Sequence, residues 1–261
     1  MREMYLEDDG IKLHVKLEKP SQFESHEFIS DLSEKKYPLV IIIHGLSGHM
    51  EEKHIVAVSQ TVRRIGMMSL RVDLYGHGKS GGEFERHTLF KWLSNINLIV
   101  DWAKKLPMVS EIYLAGHSQG GLLVMLLAGM RPDDFKAIIP MSPAICITDG
   151  ARSGSVLGMS FDPLRIPDAI SYLEYKLCSS YFRAAQMLYV DPAIDRYRKP
   201  VLIVHSNADE AVPIKDSIMA AKRYENCRMA TIPGDTHCFD IHLDRVQITL
   251  RNFLMIQKTN N

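Results

Sequence analysis

Neither sign of charge prevails in this chain: Lys and Arg number 31 and Asp and Glu 31 among its 261 residues. That balance gives no electrostatic footing for nucleic acid or for an anionic membrane surface. Cysteine is scarce, with four in all. Cys146, Cys178, Cys227 and Cys238 show neither C-x-x-C spacing nor a paired pattern, so no zinc site or disulfide framework is indicated and free, mostly buried thiols are expected. Long apolar runs are missing as well. The longest, near Leu122 to Met130, falls far short of the ~18 residues of a membrane span, and Met1 to Gly10 lacks the apolar core of a signal peptide. A soluble, cytoplasmic protein with small or neutral partners is expected, with a homodimer left open. Repeats and low-complexity tracts are absent too. What the chain does have is 46% hydrophobic residues, enough to fill the core of one large α/β domain or two small ones.

Strand and helix signals alternate along most of the chain. Met4 to Leu6 and Ile11 to Leu17 alternate apolar with polar residues around Asp9-Gly10, which predicts a hairpin. Pro20 to Tyr37 is polar and aperiodic, a surface connection. Leu39 to Ile43 is a β-branched run of the kind buried on both faces of a parallel sheet. A helix is expected over Lys53 to Arg64, a strand over Met67 to Val72 and a helix over Leu89 to Leu106, stopped by Pro107. After Ala137 to Pro140, another strand, the pattern breaks into short Gly- and Pro-punctuated pieces from Ala144 to about Pro200. It resumes with Val201 to His205, a helix at Ile214 to Tyr224, a last strand at Cys227 to Ile232 and a closing helix at Ile241 to Ile256. Repeated βαβ units of this kind predict a mostly parallel, doubly wound sheet flanked by helices.

Between Ile112 to Ala115 and the apolar run Leu122 to Met130 lies Gly116-His-Ser118-Gln-Gly120. A serine at a helix start is often only an N-cap. A G-x-S-x-G between a strand and a helix is instead a nucleophile elbow: Ser118 is held in a strained turn that lifts its hydroxyl, and the glycines leave room for it. Gly76-x-Gly78-x-x-Gly81 matches a dinucleotide fingerprint literally, yet no apolar helix opens on it. Gly78-Lys-Ser80 lacks the earlier glycine of a phosphate loop, since Asp73 stands there. A nucleotide site is rejected, His77 is a turn residue, and neither cofactor nor metal is implied.

A serine hydroxyl is a weak nucleophile at neutral pH and needs an imidazole base held in one tautomer by a carboxylate. Asp209, after the strand ending at His205, and His237, after the strand ending at Ile232, fall in the order Ser, acid, His, each at a strand's carboxyl end. His205, His242, Asp235 and Asp191 are worse placed. The main-chain N–H groups of Gln119 and of Leu46, in the His44-Gly turn, are the candidate oxyanion donors. The chemistry expected is acyl transfer, with a small-molecule ester as substrate.

With His44-Gly45, Asp73-x-x-Gly76-His-Gly78-x-Ser80, Gly116 to Gly121, Asp209-Glu-Ala-Val-Pro213 and His237-Cys-Phe239 in this order, the chain resembles the α/β-hydrolases over nearly its whole length. Gln119, Met141-Ser-Pro-Ala144, Phe161-Asp-Pro, Ile166-Pro-Asp168 and His237-Cys-Phe239 further resemble the intracellular bacterial cinnamoyl (feruloyl) esterases. That resemblance implies an α/β-hydrolase core over 1–143 and 191–261 with a lid insertion over 144–190. It also implies hydrolysis of hydroxycinnamate esters, the insertion closing over the aromatic acyl group and polar residues there, at positions near Asp149 and Tyr181, holding the phenolic hydroxyl. A monoacylglycerol lipase or short-chain carboxylesterase would use the same residues with a different pocket. A non-catalytic receptor of the same fold would not need them intact.

Overall fold

The computed structural model describes residues 1–23 and 35–259. Most of the polar connection expected over 20–37 therefore lies outside the described residues. The chain opens with β1 (Arg2–Asp8) and β2 (Ile11–Glu18), an antiparallel hairpin. Its two turn residues, Asp9 and Gly10, have φ of 51° and 77°, the left-handed pair that matches the twist of the flanking strands. Then come β3 (Tyr37–Ile43), α1 (Lys53–Arg64), β4 (Met68–Val72), α2 (Leu89–Lys104), β5 (Val109–His117), α3 (Gln119–Met130) and β6 (Phe135–Met141). α2 begins where the Thr88 side chain accepts the Lys91 N–H at 3.1 Å, an N-cap bond.

Eight strands form one sheet in the order β1-β2-β4-β3-β5-β6-β11-β12, where β11 is Val201–Ser206 and β12 is Cys227–Ile232. All pairs from β4 to β12 are parallel, and only the β1–β2 and β2–β4 pairs are antiparallel. This is the mixed sheet of an α/β-hydrolase fold, and it agrees with the expected fold class. Along β3, Leu39, Ile41 and Ile43 join the core beneath α2 and α3, while Val40 and Ile42 join the core beneath α1 and α8 (Leu243–Thr259). A strand sandwiched this way has no polar face, which is why its sequence reads as an unbroken apolar run. Truncating a side chain such as Ile41 to Ala costs roughly 2 to 5 kcal/mol.

Between β6 and β11 the chain forms α4 (Cys146–Ser153), the two-residue ribbon of β7 (Ser155–Val156) and β8 (Met159–Ser160), and the hairpin of β9 (Ala169–Tyr172) and β10 (Tyr175–Cys178). α5 (Ser179–Gln186) and α6 (Val190–Arg196) follow. Both ends of this excursion rest on α3. A Cβ at Gly121 would come within 3.0 Å of Pro143 Cα as the chain leaves, and a Cβ at Gly129 would run into Ala193 as it returns on α6. α7 (Ile214–Arg223) links the last two strands.

One buried ionic cluster escaped the sequence reading. Glu18 receives the Ser59 hydroxyl at 2.7 Å and Arg71 Nε at 3.2 Å, and Arg71 Nη1 also reaches Glu51 at 2.7 Å. The four cysteines are free, as expected, but half-buried rather than fully enclosed. Among the described residues no helix is long and apolar enough to cross a membrane.

Candidate active site

Ser118 stands between the end of β5 and the start of α3 with φ 55° and ψ −120°. Such a backbone is strained for a residue with a Cβ. The surroundings enforce it: the Ser118 N–H donates to Met141 O at 2.9 Å, and its carbonyl accepts the N–H groups of Leu122 and Ala144 at 3.1 and 3.0 Å. A Cβ at Gly116 would collide with the Gly120 carbonyl, and one at Gly120 with the carbonyls of His44 and Ile43. Both glycines are thus required by close approach. Of the seven described non-glycine residues with positive φ, Ser47, Ser118, Ser142 and Phe239 all belong to the loops at this edge of the sheet, so the strain is concentrated at one place.

The turn after β3 lies directly against the elbow, since a Cβ on Gly45 would be 3.0 Å from Ser118 Cβ. The N–H of Leu46 has no backbone partner among the described residues, and that of Gln119 lies in the first turn of α3, where no carbonyl precedes it within the helix. These two main-chain N–H groups next to Ser118 thus have no carbonyl partner among the described residues. His44 fixes its own loop: Nδ1–H donates to Gly45 O at 2.7 Å and Nε2 accepts the Leu74 N–H at 3.1 Å. His77 Nε2 accepts the Ser47 N–H at 3.2 Å, so this turn residue also supports the loop that carries Leu46. Gly78, next to it, makes room for Asp73, whose carboxylate takes the N–H groups of Met50 and Lys79 at 2.8 and 3.0 Å. A side chain at Gly78 would overlap that carboxylate.

His237 and Asp209 are brought together from the loops after β12 and β11. His237 Nδ1–H donates to Asp209 Oδ2 at 2.7 Å. His205 Nε2 lies 3.1 Å from the same oxygen, and the N–H groups of Ala211 and Val212 donate to Oδ1 at 2.9 and 2.8 Å. Burial works against the charge on Asp209, but hydrogen bonds from His205 and His237 and the imidazole's field hold its carboxyl far below the usual carboxylate range. His237 is tied to the elbow through its neighbours. Its carbonyl accepts His117 Nε2–H at 2.9 Å, and the two rings stand 4.6 Å apart.

His205, weighed against His237 as a base, uses Nδ1 to accept from Ser217 at 2.7 Å and shares Nε2–H between Val212 O and Asp209. Both nitrogens are occupied. Asp235 is consumed by its own loop, taking the N–H groups of Thr236, Ile241 and His242, and Asp191 pairs with Arg223. Glu210, which sequence reasoning passed over, accepts the His237 N–H at 3.2 Å. Its position next to Asp209 was the one available signal. Tyr181 is fully buried and donates its hydroxyl to Gln119 Oε1 at 2.8 Å, leaving Gln119 Nε2 without a partner. Asp149 lies on α4, bonded to Arg152 with its side chain 83% exposed.

Residues 34–169 match the family model Hydrolase_4, described as serine aminopeptidase, S33. Among solved structures, Est1E from Butyrivibrio proteoclasticus with ferulic acid bound is 51% identical, with a TM-score of 0.93 over 98% of this chain and 99% of that one. Curated relatives are more distant. Palmitoyl-protein thioesterase ABHD10, mitochondrial, of Bos taurus is 26% identical over 203 residues, covering 72% of this chain and 62% of its own length. Monoacylglycerol lipase of Mycolicibacterium smegmatis is 25% identical over 228 residues, covering 76% and 80%. The chain spans less than two thirds of the length of the first of these curated relatives.

Proposed function

Because the chain belongs to the Hydrolase_4 family of α/β-hydrolase-fold proteins, we propose that it is a serine carboxylic ester hydrolase working through an acyl-enzyme, with hydroxycinnamate esters as substrates. Ser118 is the nucleophile, His237 the base and Asp209 the carboxylate that orients it. The observation that carries this reading is the 2.7 Å bond from His237 Nδ1–H to Asp209, beside a serine held at φ 55°. With Nδ1 committed as donor, Nε2 is the nitrogen with a lone pair, the tautomer a general base requires. An acid held far below the usual range stays charged throughout and stabilises the imidazolium that forms.

In the first half-reaction Ser118 Oγ bonds to the substrate carbonyl carbon as its proton passes to His237 Nε2. The carbonyl electron pair moves onto oxygen, facing the N–H groups of Leu46 and Gln119. Collapse of this intermediate breaks the bond to the leaving alcohol, whose oxygen takes the proton back from His237. Water then repeats the sequence on the acyl-enzyme and releases the acid. Each oxyanion donor is worth roughly 3 to 4 kcal/mol in the transition state. Tyr181 contributes as a positioning residue, holding the Gln119 side chain next to the nucleophile, while the segment over 144–190 serves as the lid.

The aromatic acyl preference is supported by the 51% identical Est1E, solved with ferulic acid. The similarity to monoacylglycerol lipase supports a second reading in which the same residues cleave glycerol monoesters. Kinetics on methyl ferulate, a p-nitrophenyl acyl series and monoacylglycerol separate the two. Methyl ferulate is expected to give the highest kcat/KM, and preference for the glycerol ester would remove the hydroxycinnamate reading.

A further inference from the structure

His54 lies in the first turn of α1, His117 precedes Ser118 and Cys238 follows His237. No spacing along the chain connects these three residues, yet their ligand-capable atoms all lie within 4.8 Å of one another. The His54 and His117 rings meet edge to face at 4.2 Å. His54 is 3% exposed, and its Nε2 has no hydrogen-bond partner among the described residues. A buried polar atom left this way is destabilising, a loss that a bound ion removes. The Glu52 carboxylate stands 3.9 Å from that nitrogen.

We propose that His54, His117 and Cys238 form a binding site for a soft divalent cation of the zinc type, and that its occupation arrests hydrolysis at the adjoining Ser118 and His237. Two imidazoles and a thiolate are the donor set such an ion selects, and hard cations such as Mg²⁺ do not. Burial holds His54 down to about 4 and His117 well below its ordinary value, so both rings are neutral and each has a lone pair to offer. Burial and then the carboxylates of Glu52, Asp240, Glu210 and Asp209 push the Cys238 thiol up to about 12. The same negative field attracts a dication. On binding, the sulfur–metal bond replaces the S–H bond and the proton leaves to solvent. With Zn–N near 2.0 Å and Zn–S near 2.3 Å, tetrahedral ligands stand roughly 3.3 to 3.8 Å apart. From separations of no more than 4.8 Å the cluster must therefore contract by at most about 1 to 1.5 Å, and a water or Glu52 completes it.

Contraction disturbs the catalytic edge. His117 donates to the His237 carbonyl at 2.9 Å, and Cys238 is bonded to His237 through the chain, so drawing both toward one ion shifts the imidazole that Asp209 orients. The arrest rests on the proposed roles of Ser118 and His237, whereas cation binding does not.

The test is to titrate the full chain with Co²⁺, following the thiolate-to-cobalt charge-transfer absorption, and then to displace it with Zn²⁺. We expect one ion per chain, a charge-transfer band abolished in Cys238→Ser, affinity at least about tenfold weaker in His54→Asn, and no competition from Mg²⁺. Zinc should lower kcat at unchanged KM. The absence of the band, its persistence in Cys238→Ser, or unaltered affinity in His54→Asn would overturn the site. Should either variant fail to fold, alkylation of Cys238 in the unmodified protein decides: Zn²⁺ is expected to protect it, and equal labelling with and without the ion rejects the proposal. Recording the spectrum on Ser118→Ala as well keeps failure of the cation site distinct from failure of the esterase reading.

Discussion

At the exits of β3 and β4, His44, His77 and His87 pack around Trp92 with ring centroids 5.0, 4.7 and 5.4 Å from it. At the exits of β5, β11 and β12, His205 and His237 meet on Asp209, and His117, next to Ser118 in the chain, bonds to the His237 carbonyl. The two groups share a residue type and an edge of the sheet, and they differ in carboxylates. In the first, burial drives His44, His77 and His87 down to about 4, 2 and 4, so they act as neutral, ring-shaped hydrogen-bonding struts. In the second, Asp209 engages two imidazoles, through Nε2 of His205 and Nδ1 of His237, and the proposed mechanism takes Nε2 of His237 as the basic nitrogen. A histidine at a strand end becomes a base when a charged acceptor fixes one nitrogen and nothing claims the other.

The largest effect expected of this contrast is at Ser118. Ser118→Ala should lower kcat/KM on methyl ferulate by about 10⁴-fold or more and abolish labelling by a fluorophosphonate. Asp209→Asn comes next, at roughly 10³- to 10⁴-fold, because it removes the charge that fixes the His237 tautomer. Activity within tenfold of the unmodified protein would erase the distinction between the two groups.

The first group should show itself in stability rather than rate. The folded-state values of His44 and His87 lie near 4 and that of His77 near 2, against about 6.5 unfolded. Below that pH the unfolded chain binds more protons, so stability is full above about 6.5 and falls as pH drops toward 4. Down to pH 4 each group contributes at most roughly 3 kcal/mol. Thermal melts between pH 7 and 4.5 should show Tm falling steeply, and a flat profile would contradict neutral, buried rings. Tyr181→Phe releases Gln119 and should change kcat/KM by only about fivefold, the value of one hydrogen bond. His87→Phe is expected to be milder still. It loses the 2.7 Å bond to Phe84 O but also removes a buried Nε2 with no partner among the described residues, leaving Tm at pH 7 within a few degrees, flattening its pH dependence and sparing kcat.

What was legible in the sequence is what local patterning specifies. α1 spans Lys53–Arg64 in the structure, the same bounds the sequence predicts, because its apolar face repeats at the helical period. Asp209 and His237 could be singled out because a parallel sheet presents the loops after its strands at one edge. Pairings between distant segments left no such trace. Glu18 with Arg71, Tyr181 with Gln119 and the convergence of His54, His117 and Cys238 each join residues more than fifty apart. Gly76 and Gly78 formed a literal fingerprint whose physical cause, crowding against Glu83 and Asp73, is visible only in three dimensions. Asp149, chosen by resemblance, faces outward beside Arg152.

The excursion between β6 and β11 is pinned at both stems to α3, the helix that follows Ser118, by notches at Gly121 and Gly129. Apart from Tyr181, whose hydroxyl reaches Gln119, the segment between those stems can lengthen, shorten or be exchanged while the edge around Ser118 keeps its shape, provided the notches stay free of side chains. If the insertion is the proposed lid, what the protein selects is held apart from how it reacts, and new substrate preferences can be drafted in the roof without rewriting the hearth beneath it.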